Sequence, residues 1–374
     1  MIIKNGLVLT DNFSFEKIDI FTENSIIKSL GNENGCDINA ENCYIIPGLI
    51  DTHFHGMMGE SFLGYTEDTF SKIASFTAKN GTTTIVPAIS AAPKEVLLDS
   101  IEYANKYINK EFENCSKMVG IHLEGPFFSE SYKGAHLPEN IRNPKAQEFM
   151  EYANKANGNL KIITMAPELP GADEVIKCAA KENVCVSVGH TDASSEDVKH
   201  AAEIGAKQCT HLFNAMRGLN RREPGTVGGA LSTNMKVELI CDFFHVHPDV
   251  IRFVYRLKGA DKINMITDSV AGFGLPDGEY FLDGSKKIVR NKHCYTENGT
   301  TIAGGSSNLI DGIRNLVSID IPLEDAVKMA TKNPAETVGI YDKVGSITPG
   351  KQADILILNK DLSINKIILR GKVL

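Results

Sequence analysis

The chain has 374 residues, 42% hydrophobic and 23% charged, with a formal net charge of −8 at pH 7 and a pI of about 5.7. This composition describes a globular protein with room for one large core or two, and its negative charge argues against a nucleic-acid partner, whose phosphates would repel it. No apolar run reaches the ~18 residues a membrane helix needs, and the eight cysteines form no CxxC pair, so no membrane partner is expected and the thiols read as reduced, mostly buried, in a cytoplasmic protein.

The first segment, IIKNGLVLT followed by FEKIDIFTENSIIKSLG, alternates strand-like runs with Asn/Gly turns. From residue 44 the pattern becomes strand, loop, helix, repeated. Strand-like runs lie at 44–55, 82–90, 117–125, 161–168, 184–192, 207–214, 237–246 and 263–270. Helical spacing of apolar residues marks 68–81, 93–110, 146–158, 172–183, 195–206 and 248–259, several ending at Gly or Asn. A β-rich insert near 278–303 follows the eighth strand, and the closing segment from 345 to 374 resembles the first in style. These units predict an α/β protein: a TIM-type (β/α)8 barrel over 47–344, with a small β-sandwich domain built from 1–46 and 345–374.

A barrel places its chemistry at the C-terminal ends of its strands. The stretch IDTHFHG puts His53 and His55 at i and i+2, on one face of a strand. By itself the pair leaves open a metal site or a strand that merely carries two histidines. Glu124 in HLEG, His190 in VGH, His211 in TH and Asp268 in TD also stand where apolar runs stop. Imidazoles and carboxylates suit a divalent ion such as zinc or iron. Six candidate ligands exceed the needs of one zinc, so one or two ions per subunit are expected, with Glu124 as the natural bridge. The fourth strand ends in TMAPE and offers no lysine for a modified-lysine bridge. His122 reads as core or as support for the ligands, His200 as a solvated helix residue and His293 as surface. Arg221 and Arg222, taken alone, read as surface cations.

PGLIDTHFHG and the closing PGKQADILIL resemble the metal-dependent amidohydrolase superfamily. Within it, HLEGPF, KGAH, VGHTDA, THLFNAM, REPG, FHVHP and TDSV resemble the N-acetylglucosamine-6-phosphate deacetylase family over nearly the whole chain. The resemblance implies hydrolysis of an N-acetylated amino-sugar phosphate to the free amine and acetate, with the galactosamine epimer or another amidohydrolase reaction as the alternative. It implies Glu124, His190 and His211 as core metal ligands, His53 and His55 as the pair completing a second metal site, and Asp268 as acid/base. It also implies His136 near the acetamido group, Asn214 and Ala215 facing the sugar phosphate, and Arg222 and His245 as the phosphate clamp. A homodimer with a phosphate site shared between subunits goes with it. Two departures flank the pocket: Asp242, Phe243 and Phe244 where a glycine is usual, and Phe273 where smaller residues are common. In such a site a divalent ion lowers the pKa of water from ~16 towards ~7, so no serine or cysteine nucleophile is required.

Overall fold

Eight short strands, taken in chain order, form the central curled sheet of this computed structural model, in a three-stranded and a seven-stranded part between which β2 is divided; the structure describes residues 1–32, 34–63, 66–108, 110 and 112–374. They are β1 (Leu49–Asp51), β2 (Thr82–Ile85, resumed as Ala88–Ser90), β3 (Ile121–Glu124), β4 (Leu160–Met165), β5 (Cys185–Val188), β6 (Gln208–Cys209), β7 (Lys236–Ile240) and β8 (Ile263–Ile266). Each pairs in parallel with the next. The register sets Ser90 opposite Glu124, Glu124 opposite Thr164, and Ile240 opposite Ile266. The rims of the curled sheet meet just past the strand ends, where Asp268 N donates to His53 O (2.9 Å) and His55 N to Ser269 O (2.7 Å). The strands are almost wholly buried, as parallel strands covered on both faces must be.

The covering helices start and stop where their sequences direct. The helix Ser195–Ile204 is opened by a capping box: Ser194 Oγ accepts from Asp197 N (3.2 Å) and Asp197 Oδ2 from Ser194 N (2.8 Å). Pro248 opens the helix Pro248–Lys258, and Gly259 follows its end. The helix Lys94–Ile108 matches the expected 93–110 run, whose Asn109 lies outside the described residues.

The chain ends do share a sheet. Tyr44–Pro47 pairs in parallel with Leu7–Leu9 and antiparallel with Ile355–Leu358, setting Ile45 opposite Ile357. A second sheet of Ile2–Lys4, Asp19–Glu23, Ile26–Gly31 and Ile38–Asn39 packs with it around Ile3, Val8, Ile20, Ile27, Ile355 and Ile368, a core separate from that of the central sheet. The insert is an antiparallel meander, β9 (Gly278–Leu282), β10 (Ser285–Arg290), β11 (His293–Thr296) and β12 (Ile302–Gly304). Its return to the central sheet is tight: Gly305 N donates to Asp268 O at 2.7 Å, and a Cβ at Gly305 would lie 1.9 Å from Thr267 O. Only glycine allows this approach.

Most strands are shorter than their expected runs, which carry on into the loops, and the run 44–55 is divided between the terminal sheet (Tyr44–Pro47) and β1 (Leu49–Asp51); β7 and β6 show how such runs end. β7 stops at Ile240 because Asp242 Oδ1 captures Phe244 N and His245 N, both at 2.9 Å, turning the chain. β6 stops at Cys209, and His211 two residues on has φ 25°.

Candidate active site

Glu124, at the end of β3, is 2% exposed and sits among five imidazoles. Its Oε1 lies 3.2 Å from His53 Nε2, 3.2 Å from His190 Nε2 and 3.1 Å from His211 Nε2. Its Oε2 lies 3.1 Å from His55 Nε2 and 3.2 Å from His136 Nε2. Asp268 Oδ1 approaches His55 Nε2 at 3.3 Å and His53 Nε2 at 3.6 Å. His190, His211 and Asp268 have positive φ values of 49°, 25° and 49°. Such conformations cost a non-glycine residue about 1–3 kcal/mol. They take each residue off the strand ladder at the point where its side chain joins the cluster.

The outer nitrogens of His53, His55 and His190 are already engaged, while His211 Nδ1 is buried without a partner. His55 Nδ1 faces Ala88 O (3.1 Å), and His190 Nδ1 faces Tyr132 O (3.0 Å). A carbonyl only accepts, so these Nδ1 atoms carry the protons. His53 Nδ1 meets Glu238 Oε2 at 2.9 Å, a carboxylate that also accepts from Gln208 Nε2 (2.7 Å, Oε1) and His211 N (3.3 Å). When neutral, His53, His55 and His190 therefore aim Nε2 lone pairs at the Glu124 oxygens, and His53 Nε2, buried, has no aligned hydrogen bond. Lone pairs facing carboxylate oxygens repel unless a cation lies between them. Nitrogen and oxygen donors oriented from behind are what a borderline divalent ion takes. The donor set His53, His55 and Glu124, and the overlapping set Glu124, His136 and His190, are each close enough to hold one.

Protons are the other way to relieve that repulsion. Burial alone would depress His53 and His55. The carboxylates of Glu238 and Glu124 instead raise His53 well above its usual range, and Glu124 with Asp268 raises His55 to about 9. Burial would raise Asp268, but the His55 hydrogen bond and the His53 charge outweigh it and bring the carboxyl to about 2. Glu124 is likewise held well below the carboxylate range by His55, His53 and His190 against its burial. The cluster thus holds ionised carboxylates at neutral pH.

A cavity of about 260 Å³ opens onto this cluster. His136, Asn214, Ala215 and His245 line it beside Asp268, so these expected substrate contacts are brought to the same space. His245 Nδ1 is 2.7 Å from Asp242 Oδ2. Burial would lower this histidine, but Asp242 outweighs it and holds the pKa above its usual value. Arg222 is not brought there: it is exposed, its backbone N donates to Asn220 Oδ1, and its side chain does not line the cavity.

His122 is fully buried, bonded to Thr52 O (3.1 Å) and Thr164 Oγ1 (2.8 Å), and supports the His53 ring beside it. His200 is a half-exposed partner of Asp173. His293 is not a free surface residue: its ring stacks on Phe244 at 3.7 Å. Phe273 packs edge-on against Phe76. Sequence reasoning missed Glu238, which is fully buried and orients His53. The available signal was a charged residue in the middle of the apolar run VELI. It also missed Asp51, raised to about 7 by burial although Thr267 and His53 N bond to it.

Comparison with known proteins places the chain in a family. The amidohydrolase family profile matches residues 44–374. The N-acetylglucosamine-6-phosphate deacetylase of Lysinibacillus sphaericus is 31% identical over 382 residues, covering 100% of this chain and 97% of that protein. The N-acetylgalactosamine-6-phosphate deacetylase of Escherichia coli O157:H7 is 31% identical over 334 residues, covering 88% and 87%. The structure of a mutant N-acetyl-D-glucosamine-6-phosphate deacetylase from Mycobacterium smegmatis, in complex with N-acetyl-D-glucosamine-6-phosphate, superposes with a TM-score of 0.95 at 29% identity, covering 100% of this chain and 98% of that one. With the family profile matched over residues 44–374 and a 31% identical relative covered over nearly its whole length, the chain belongs to the amidohydrolase family.

Proposed function

We propose that this chain is a metal-dependent hydrolase that converts N-acetyl-D-glucosamine 6-phosphate and water to D-glucosamine 6-phosphate and acetate. The observation that carries the reading is the convergence of four strand-end imidazoles and Glu124 beside an ionised Asp268, with His55, His190, His211, Glu124 and Asp268 lining one cavity. The full-length likeness to the Lysinibacillus sphaericus and Mycobacterium smegmatis deacetylases supports the substrate. The likeness to the Escherichia coli enzyme named for the galactosamine epimer, at the same 31% identity, supports that epimer as the second reading. The two substrates differ in the orientation of one hydroxyl.

His53, His55, Glu124, His190 and His211 would hold one or two divalent ions, zinc or iron by donor type. Once bound, the metal supplies Lewis acidity and water activation at neutral pH. The remaining work falls to the chain. Asp268, ionised, takes a proton from the attacking water at Oδ1 or Oδ2 and returns it to the departing nitrogen. His136, at the cavity wall, donates to the carbonyl oxygen as negative charge develops there. His245 and the Asn214–Ala215 turn hold the phosphate, so that binding energy remote from the amide positions the acetamido group. Glu238 fixes the His53 ring.

Arg222 belongs to this reading as a residue lent to a neighbouring subunit of a homodimer, which its exposure supports. The division into 1–46 with 345–374, and 47–344, is supported by the two separate apolar cores. A cytoplasmic setting is supported by the free cysteines, six of them buried. Acetate release from the two epimeric phosphates, each beside its unphosphorylated sugar, tests the proposal. Release from the glucosamine compound first is expected; preference for the galactosamine compound would move the substrate, and release from neither would remove the reading.

A further inference from the structure

Among the described residues that line the cavity, one lysine or arginine is found, and it comes from the insert: Lys287, on β10. It is 9% exposed, yet its ammonium makes no hydrogen bond or ion pair with another described residue. Other part-buried lysines behave differently. Lys236 Nζ donates to Asn333 O at 2.9 Å, and Lys258 Nζ to Thr233 O at 2.8 Å. The stem of Lys287 is buried while its ammonium opens into the cavity, so the charge is held without a protein partner where an entering anion can pair with it.

The position of Lys287 follows from the strand. Alternation puts Ser285, Lys287 and Val289 on one face of β10. Val289 is seated against the loop after β8: a Cβ at Gly272 would lie 3.3 Å from Val289 Cγ2 and 2.6 Å from Cys294 Sγ. The ladder with β11 fixes the register, Val289 opposite Cys294 and Lys287 opposite Thr296. Two residues from that anchor, Lys287 reaches the cavity wall. The other ionisable groups lining the same cavity are Asp268, Glu124, Asp283, Cys294 and the histidines 55, 136, 190, 211 and 245. Asp283 has a buried Oδ1 without a partner and forms no ion pair with Lys287.

We propose that Lys287 is the fixed cation with which this subunit's own cavity grips the phosphate of its substrate, so that the β-rich insert is a specificity element. This rests on the amino-sugar-phosphate reading above. A dianionic group entering this cavity meets one permanent cation there, because Arg222 lies outside it. His245, in the segment after β7 and lining the same cavity, shares the task.

The test compares Lys287→Met, Lys287→Gln and Lys287→Arg with the parent, all metal-loaded and checked for metal content and melting temperature. Steady-state acetate release is measured on N-acetylglucosamine 6-phosphate and on N-acetylglucosamine, and inorganic phosphate binding is measured by calorimetry. Loss of one charge-assisted contact predicts a KM for the phosphorylated sugar raised roughly 10–100-fold with kcat retained. Phosphate binding should weaken in parallel, the preference for phosphorylated over plain sugar should fall, and Lys287→Arg should recover part of the loss. Unchanged KM and phosphate binding in the Met or Gln variant would overturn the proposal, as would a loss confined to kcat or melting temperature, which would mark an internal role beside Asp283. If the parent itself releases no acetate, the substrate reading fails, and phosphate calorimetry alone then decides the role of Lys287. Should the Met variant not fold, the Gln variant carries the comparison.

Discussion

Glu238 makes no contact with the cavity, yet it fixes the face His53 presents to it. Its carboxylate holds His53 Nδ1 at 2.9 Å and takes Gln208 Nε2 on its other oxygen. Glu238→Gln keeps the shape and removes the charge. It should weaken divalent metal binding by about 10–100-fold, read by metal titration with a competing chelator, while the melting temperature of the metal-free protein changes little. Undiminished affinity would demote Glu238 to packing. At His245 the prediction concerns pH. Asp242 raises this imidazole above its usual pKa, so the cation persists to higher pH than a free histidine would, and the contribution of the pair to stability is complete below the unfolded pKa and lost as pH rises through the folded one. KM for the phosphorylated sugar should therefore rise only once the pH passes that elevated value. Asp242→Asn removes the raising charge and should bring the rise to lower pH. Superimposable KM profiles would contradict the pairing. At this scale the sequence was readable wherever an apolar run stopped at a chemically loaded residue, as at Glu124, His190, His211 and Asp268. Glu238 and Lys287 were not readable, because each acts from inside a strand and only folding decides which of two faces it shows. His293 read as surface for the same reason, since its stacking on Phe244 joins segments about fifty residues apart.

The elements explain how exactness at the site survives short strands. β6 has only two ladder residues, and β8 four, so the functional ends are held by turns rather than by sheet. The return of the insert at Gly304–Gly305 is one such turn, bonded directly to the carbonyl of Asp268. Gly305→Ala would place a methyl 1.9 Å from Thr267 O and must push the β8 end aside. Overpacking of this kind costs about 1–3 kcal/mol. We expect a lowered melting temperature and a fall in kcat larger than the change in KM, since the turn is bonded directly to Asp268. A variant with parent kcat would show that this turn does not position Asp268. Helices were legible because their 3.6-residue period and caps are local properties, as with Ser194 and Asp197. Strand ends were less so: the apolar run 237–246 gives no warning that Asp242 will capture two backbone amides and end β7 at Ile240.

For the whole molecule, the chain ends close one sheet through the pairing of Tyr44–Pro47 with Ile355–Leu358, and their similar style made that legible before any contact was known. The place of Arg222 was not legible, because an exposed arginine and one lent to a neighbour look alike in a single chain. Mixing separates them. Asp268→Asn alone should lose about 10²–10⁴-fold in kcat, and Arg222→Ala should mainly raise KM. If the clamp crosses a homodimer, refolding the two variants together should restore sites with a native Asp268 and a native Arg222, and activity at low substrate should exceed the sum of the two separate variants. A strictly additive mixture would place Arg222 outside the partner's site.

The measurement that tests the central claim most directly is acetate release from N-acetylglucosamine 6-phosphate by the metal-loaded protein, beside the chelated protein and beside the unphosphorylated sugar. The account predicts fast release that requires both the metal and the phosphate. Release that persists after chelation, or that proceeds equally well without the phosphate, would contradict it.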